Sequence, residues 1–149
     1  MKLALLGTGM IVTEVLPVLT TIEGIELEAI MSTPRSLDKA ETLAKQYGLT
    51  QATSDYAAIL SNPDVDTIYI GTPNHTHYDY AKQALLAGKH VICEKPFTLH
   101  LEEFEELIKL AQEKELLLIE AITNQYLENF KVIKDSLSEI GDIKIVNIN

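Results

Sequence analysis

Leu3-Ala4-Leu5-Leu6-Gly7-Thr8-Gly9-Met10-Ile11-Val12 is the stretch on which the fold turns. Four apolar residues in a row, ended by glycine, read as a strand buried on both faces of a parallel sheet. Residues Met10 to Thr21 follow as a helix that Pro17 should kink, because a proline has no N–H to give Thr13. A Gly-x-Gly turn between a first strand and a first helix is where a dinucleotide is gripped. The first glycine allows the tight turn, the second lets the backbone approach a pyrophosphate, and the helix N-terminus offers free N–H groups. The third position of this fingerprint is Val12 rather than glycine or alanine, so the helix is expected to stand slightly further from the sheet. Alone such a turn is weak evidence and is also readable as a structural bend, but its place between strand and helix favours nucleotide binding.

Outward from this stretch, strand-like and helix-like patterns alternate. Ile25–Met31 reads as a strand, Leu37–Tyr47 as a helix closed by Gly48, Gln51–Thr53 as a short strand, and Ser54 as the N-cap of a helix stopped at Asn62-Pro63. Asp66–Ile70 is a buried strand. A helix follows from Thr76, with Asp79 as its capping-box partner, to Gly88. His90–Cys93 and Leu116–Ile119 are strands around the helix Leu99–Glu115, whose charged face is a solvated surface. Leu127–Ile140 is a last helix, and Ile143–Ile148 a last strand. Such alternation predicts an α/β fold, a doubly wound parallel sheet of the Rossmann type.

Composition bounds the function. The 149 residues are 46% hydrophobic and 23% charged, in the range of one globular domain. Twelve basic against 22 acidic residues give a net charge of −10, which disfavours nucleic acid and anionic membranes as partners. The N-terminal apolar run is shorter than the roughly 7–15 residues of a signal-peptide core, and no run approaches the ~20 of a membrane span. One cysteine, Cys93, rules out an internal disulfide and fits a reducing cytoplasm. It ends an apolar strand with no evident base beside it, so it reads as a buried, inert thiol. His75 and His77 lack the Cys/Asp/Glu partners of a metal site, and no metal is expected.

An acid about 20 residues after the glycines would hold the ribose hydroxyls of NAD. The second strand ends instead in Met31-Ser32-Thr33-Pro34-Arg35, and Glu28 lies too early, inside the strand. Ser32, Thr33 and Arg35 suit a 2′-phosphate, which makes NADP the expected cofactor and NAD the alternative. They are also readable as plain loop and cap residues. Two further loops, Gly71-Thr72-Pro73-Asn74-His75-Thr76-His77 and Cys93-Glu94-Lys95-Pro96, fall at the carboxyl ends of strands on the same edge, where open α/β sheets bind ligands.

These loops, with Ala84-Leu85-Leu86-Ala87-Gly88-Lys89-His90-Val91 between them, resemble the N-terminal domain of the glucose-fructose oxidoreductase / inositol dehydrogenase (Gfo/Idh/MocA) family. Glu120-Ala121-Ile122 is similar to the branch containing dihydrodiol and xylose dehydrogenases. The resemblance implies a dinucleotide-binding domain over residues 1–122, with residues 123–149 a connecting helix and the first strand of a second α/β domain. It implies that Gly7, Thr8, Gly9, Met10 and Ile11 line the pyrophosphate, and that Thr72, Pro73, Asn74 and His77 border the crossing toward nicotinamide. Glu94 and Lys95 would sit beside the nicotinamide ribose, Lys95 being catalytic. The implied activity is hydride transfer between NADP or NAD and a small sugar, polyol or related alcohol or carbonyl substrate. A non-catalytic dinucleotide sensor on the same fold is the alternative, and a methyltransferase is disfavoured by the missing acid. The chain is expected to be the cofactor half of a longer protein, inactive alone, with its last strand a pairing edge for a homo-oligomer. Gln125 stands where dihydrodiol-type relatives carry an arginine, which leaves the substrate class open.

Overall fold

The apolar run Leu3–Leu6 becomes the body of an inner strand because its side chains find cover on both sides: Leu3, Ala4, Leu5 and Leu6 are all fully buried. The structure, a computed structural model, describes residues 1–139, 141–142 and 144–145. Its strands are β1 (Lys2–Leu6), β2 (Glu26–Met31), β3 (Gln51–Thr53), β4 (Thr67–Ile70), β5 (His90–Cys93) and β6 (Leu118–Glu120). They form one sheet in the order β3-β2-β1-β4-β5-β6, and every pairing is parallel. Residues alternate between two cores, as the two-residue period of a strand requires. Leu3, Leu5, Ile30 and Tyr69 pack with Val12 and Leu16 of α1 (Met10–Leu19) and Ala40, Leu43 and Ala44 of α2 (Leu37–Tyr47). Ala4, Leu6, Ile68 and Ile70 pack on the other side. Their partners are Ile59 of α3 (Tyr56–Leu60), Ala81 and Leu85 of α4 (His77–Leu86), and Leu107 and Ala111 of α5 (Leu101–Glu113). This is the doubly wound parallel sheet expected from the sequence.

Several boundaries differ for local reasons. α1 runs through Pro17 and ends at Leu19; the proline is exposed and stands two residues from the end. The cap of α3 is Asp55 and not Ser54: its carboxylate accepts the N–H groups of Ala57 at 2.9 Å and Ala58 at 3.4 Å. A carboxylate there also answers the positive end of the helix, which a serine cannot. Thr76 forms no capping box with Asp79, because a 3₁₀ turn at Asn74–Thr76 swings its hydroxyl back toward the Pro73 carbonyl, 2.7 Å away. Gly48 closes α2 as anticipated, left-handed at φ +75°. The last helix, α6, covers Glu128–Ser136 and continues as a 3₁₀ turn over Leu137–Glu139, with none of its residues buried. Of the strand expected at Ile143–Ile148, Lys144 and Ile145 carry no regular structure; its other residues, and Ile140, lie outside the described residues.

Lys89 shows how the second half of the sheet is braced. Its buried ammonium donates to the carbonyls of Asn62, at 2.8 Å, and Val65, tying the turn before β4 to the turn before β5.

Candidate functional site

A cleft of about 640 Å³ opens at the carboxyl edge of the sheet, where the chain leaves β1, β2 and β4. In the middle, Gly7 and Gly71 touch. Gly7 has φ +106°, and a Cβ on it would fall 2.6 Å from the Gly71 carbonyl oxygen. Gly71 in turn makes room for α1: a Cβ there would meet the Val12 side chain at 2.7 Å. Val12 is therefore accommodated by the bare Gly71 opposite it, a relation between distant residues that a fingerprint read along the chain does not contain. Gly9 is different. It sits at φ −72° with open space around the place of a Cβ, at the N-cap of α1, whose first turn carries no acid. The first N–H groups of a helix lack partners within it and favour an anion.

Hydroxyls furnish the rest. Thr8, Ser32, Thr33, Ser36, Thr72 and Thr76 line the cleft, with His75 and Tyr80 as its titratable members; among the described residues no carboxylate or lysine lines it. Thr72 and Thr76 share a hydrogen bond of 2.8 Å across their turn. Glu28, inside β2, points away to Thr50. In a chain carrying a net charge of −10, this acid-free cleft is a local exception that suits an anionic ligand.

Nine of the residues singled out from the sequence line this cleft: Gly7, Thr8, Gly9, Met10, Ile11, Ser32, Thr33, Thr72 and Pro73. The other five lie outside its lining. Arg35 is exposed in the 3₁₀ turn Pro34–Ser36, and Asn74 is exposed at the start of the next. Glu94 and Lys95 follow β5, which pairs with β4 at Ile70↔Cys93, so they stand one strand beyond Thr72 along the same edge. From β2 to β5 is three strand spacings, roughly 14 Å, enough for an extended dinucleotide to lie across the edge.

His77 is fully buried beneath the loops. Its Nδ1 is 2.9 Å from the Pro96 carbonyl oxygen and its Nε2 is 2.8 Å from that of Thr72. Both partners are acceptors; a neutral imidazole has one N–H for them and an imidazolium has two. The ring thus joins the β4 loop to the β5 loop, and its nitrogens are engaged away from the cleft. On the other core, the buried Tyr69 hydroxyl donates to Glu94 Oε1 at 2.6 Å. Burial, aided by that carboxylate, pushes the Tyr69 hydroxyl well above its ordinary range. Cys93 is fully buried, and burial, with the nearby charges of Glu94 and Glu120, pushes its thiol up to about 12. The Lys95–Pro96 peptide is cis.

Sequence reasoning passed over Met31, Ser36, Gly71, His75, Thr76 and Tyr80 of the lining, and Glu120 outside it. Ser36 was findable, being a third hydroxyl on the turn after β2. Tyr80 packs edge-on against Tyr56 at 5.0 Å while also facing the cleft. Glu120, whose carboxylate accepts the Phe97 N–H at 3.0 Å, carried no signal of its role along the chain.

A model described as "Oxidoreductase family, NAD-binding Rossmann fold" matches residues 1–122. Scyllo-inositol 2-dehydrogenase (NADP(+)) IolU of Bacillus subtilis is 34% identical over 143 residues, covering 96% of this chain and 43% of that one. Trans-1,2-dihydrobenzene-1,2-diol dehydrogenase of Xenopus laevis is 29% identical over 147 residues, covering 97% and 44%. The crystal structure of KijD10, a 3-ketoreductase from Actinomadura kijaniata in complex with TDP-benzene and NADP, superposes with a TM-score of 0.86. Its identity is 31%, over 93% of this chain and 43% of that one. The chain spans less than half the length of the curated relatives it matches. Among the described residues no helix is long and apolar enough to cross a membrane.

Proposed function

The chain belongs to this oxidoreductase family with its NAD-binding Rossmann fold, and from that premise we propose that it is the dinucleotide-binding part of an NADP-dependent enzyme. The enzyme would interconvert a sugar, polyol or related alcohol with its carbonyl form. We place the boundary of this part near residue 122. The observation that carries the reading is the acid-free cleft built on the Gly7–Gly71 contact and the start of α1. Gly7, Thr8, Gly9, Met10 and Ile11 would hold the pyrophosphate by backbone N–H groups. Ser32, Thr33 and Ser36, with Arg35 free to fold over them, would hold a 2′-phosphate, where an acid would instead select NAD. An inositol dehydrogenase named for NADP(+) and a ketoreductase solved with NADP support this preference.

The nicotinamide supplies, when bound, the carbon that gives or accepts the hydride. The protein's share is alignment and the accompanying proton. Thr72 and Pro73 border the middle of the cofactor, and Glu94 and Lys95 its reacting end. Lys95 would donate a proton to the substrate oxygen during reduction and take one back during oxidation. Its flexible stem and three rotatable N–H donors suit this task. Alcohol and sugar dehydrogenation both need these parts, and residues beyond those described would choose between substrates.

The test is a fluorescence titration of the purified chain with NADPH and then NADH. NADPH binding tighter than NADH is expected. Binding of neither overturns the domain assignment, and tighter NADH binding overturns the role given to Ser32, Thr33, Ser36 and Arg35. In the whole enzyme, Lys95→Ala should lower kcat by about 10²–10⁴, the usual worth of a general acid, with NADPH affinity nearly unchanged; full turnover would remove Lys95 from the chemistry.

A further inference from the structure

Lys95 is exposed, yet the residues around it are tied down from three separate elements. Before it, Glu94 extends the ladder by donating its N–H to the Ile70 carbonyl at 2.9 Å, and its carboxylate receives the Tyr69 hydroxyl. After it, the Pro96 carbonyl faces His77 Nδ1, and the N–H of the buried Phe97 donates to Glu120 Oε1 at 3.0 Å. Tyr69 and His77 belong to β4 and α4, which pack into the two cores on their own account. Glu120 is the last residue of β6, and among the described residues its half-buried carboxylate meets one backbone N–H, two residues beyond Lys95. Partial burial of a carboxylate is unfavourable unless its hydrogen bonds compensate, and one from a buried N–H to a charged acceptor is among the stronger kinds. The end of β6 is itself anchored, since the Ala121 N–H donates to the Cys93 carbonyl at 2.8 Å. Glu120 thus works as a strut from a fixed strand end to the turn that follows the last ladder bond, that of Glu94.

We propose that Glu120 is a positioning residue for Lys95: by accepting the Phe97 N–H, it fixes the turn that presents the lysine beside the β4 loop at the reacting end of the cleft. This rests on the reading of Lys95 as the group facing the nicotinamide. Glu120 touches neither cofactor nor substrate; it acts through the loop. None of the residues that line the cleft is part of the strut, so its loss should leave dinucleotide affinity alone and displace only the lysine.

The experiment uses the purified 149-residue chain with its lysines reductively dimethylated in ¹³C, which retains their charge. The Lys95 resonance is assigned by its absence from Lys95→Arg and followed as NADP⁺ is added. In the unsubstituted chain it should shift on binding. In Glu120→Ala, NADP⁺ affinity should stay within about threefold while the Lys95 shift is lost. Glu120→Gln, which keeps an acceptor oxygen, should restore the shift. If Glu120→Ala does not fold, Glu120→Asp, whose carboxylate is one carbon short of Phe97, takes its place with the same expected loss. An undiminished Lys95 shift in Glu120→Ala, or in Glu120→Asp where that is the variant used, overturns the proposal. A Lys95 resonance that stays still in the unsubstituted chain while NADP⁺ binds overturns instead the reading of Lys95 on which the proposal stands.

Discussion

Gly7 and Gly9 belong to one turn, and the structure separates what each is for. At Gly7 an alanine faces two penalties. Its φ of +106° lies outside the regions open to side-chain-bearing residues, which costs about 1–3 kcal/mol. Its Cβ would also stand 2.6 Å from the Gly71 oxygen and 3.1 Å from the Gly71 carbonyl carbon. Both are backbone atoms, and Gly71 is held by its own N–H to the Leu6 carbonyl at 3.0 Å, so neither can step aside without disturbing β1 or β4. Overpacking of this kind adds about 1–3 kcal/mol. Gly7→Ala should therefore lose about 4 kcal/mol, a large part of the ~5–15 kcal/mol that holds a domain together. In a calorimetric or circular-dichroism melt that is a fall in Tm of roughly 8–16 °C, at 2–4 °C per kcal/mol. Gly9→Ala has no such burden: φ is −72° and nothing lies within 4 Å of the new carbon. Its stability should change by less than about 1 kcal/mol. Its methyl group, however, enters the space in which a phosphate would meet the backbone, and NADPH affinity should fall by about tenfold or more, ~1.4 kcal/mol. A Gly7→Ala melt that overlays the unsubstituted one would refute the steric reasoning. A Gly9→Ala chain that binds NADPH normally would refute the placement of the pyrophosphate.

Three further outcomes follow from the same contacts. Asp55→Ala should cost about 1 kcal/mol in urea denaturation and Ser54→Ala a few tenths, because only the former loses a helix cap; equal losses would contradict the observed start of α3. Lys89→Met should destabilise by about 2–4 kcal/mol in the same assay, since the Asn62 and Val65 carbonyls each lose their charged donor; a neutral result would mean that water serves them as well. Cys93 sets a pH dependence. Its thiol is raised in the folded chain from 9.0 to about 12, so between these values the unfolded chain has released a proton that the folded one keeps. Stability should then fall as pH rises above about 9, by up to ~1.4 kcal/mol per pH unit from this group, and Cys93→Ala should flatten that slope in urea midpoints measured against pH. An unchanged slope would show that other groups govern the alkaline limb.

The order of strands and helices was readable because the inner strands carry apolar runs that end at a glycine or a charge: Leu3–Leu6 at Gly7, Ile68–Ile70 at Gly71, Val91–Cys93 at Glu94. The line of the cleft was readable too, since in a parallel sheet residues that follow strands must gather at one edge. What the one-dimensional pattern lacks is direction. Ser54 and Asp55 are both good caps, and only the true first turn of α3 chooses between them. Thr76 has the spacing of a capping box, but the turn ahead of it takes its hydroxyl away. His77 looks like a ligand-facing histidine in a polar motif and is buried, because α4 rotates it inward between two carbonyls. The Phe97–Glu120 and Gly7–Gly71 contacts join residues far apart in the chain, and no local rule announces either.

The reach of Glu120 to Phe97 also sets an order in time. Every residue that lines the cleft lies between Gly7 and Tyr80, and the strands that shape it, β1, β2 and β4, are complete by Ile70. The far end of the strut comes some 40 residues later, which at a synthesis rate of 5–20 residues per second is a delay of roughly 2–8 s. A chain growing from the ribosome therefore passes through an interval in which the segments that line the cleft have all emerged, while the loop bearing Lys95 still waits for the residue that holds it.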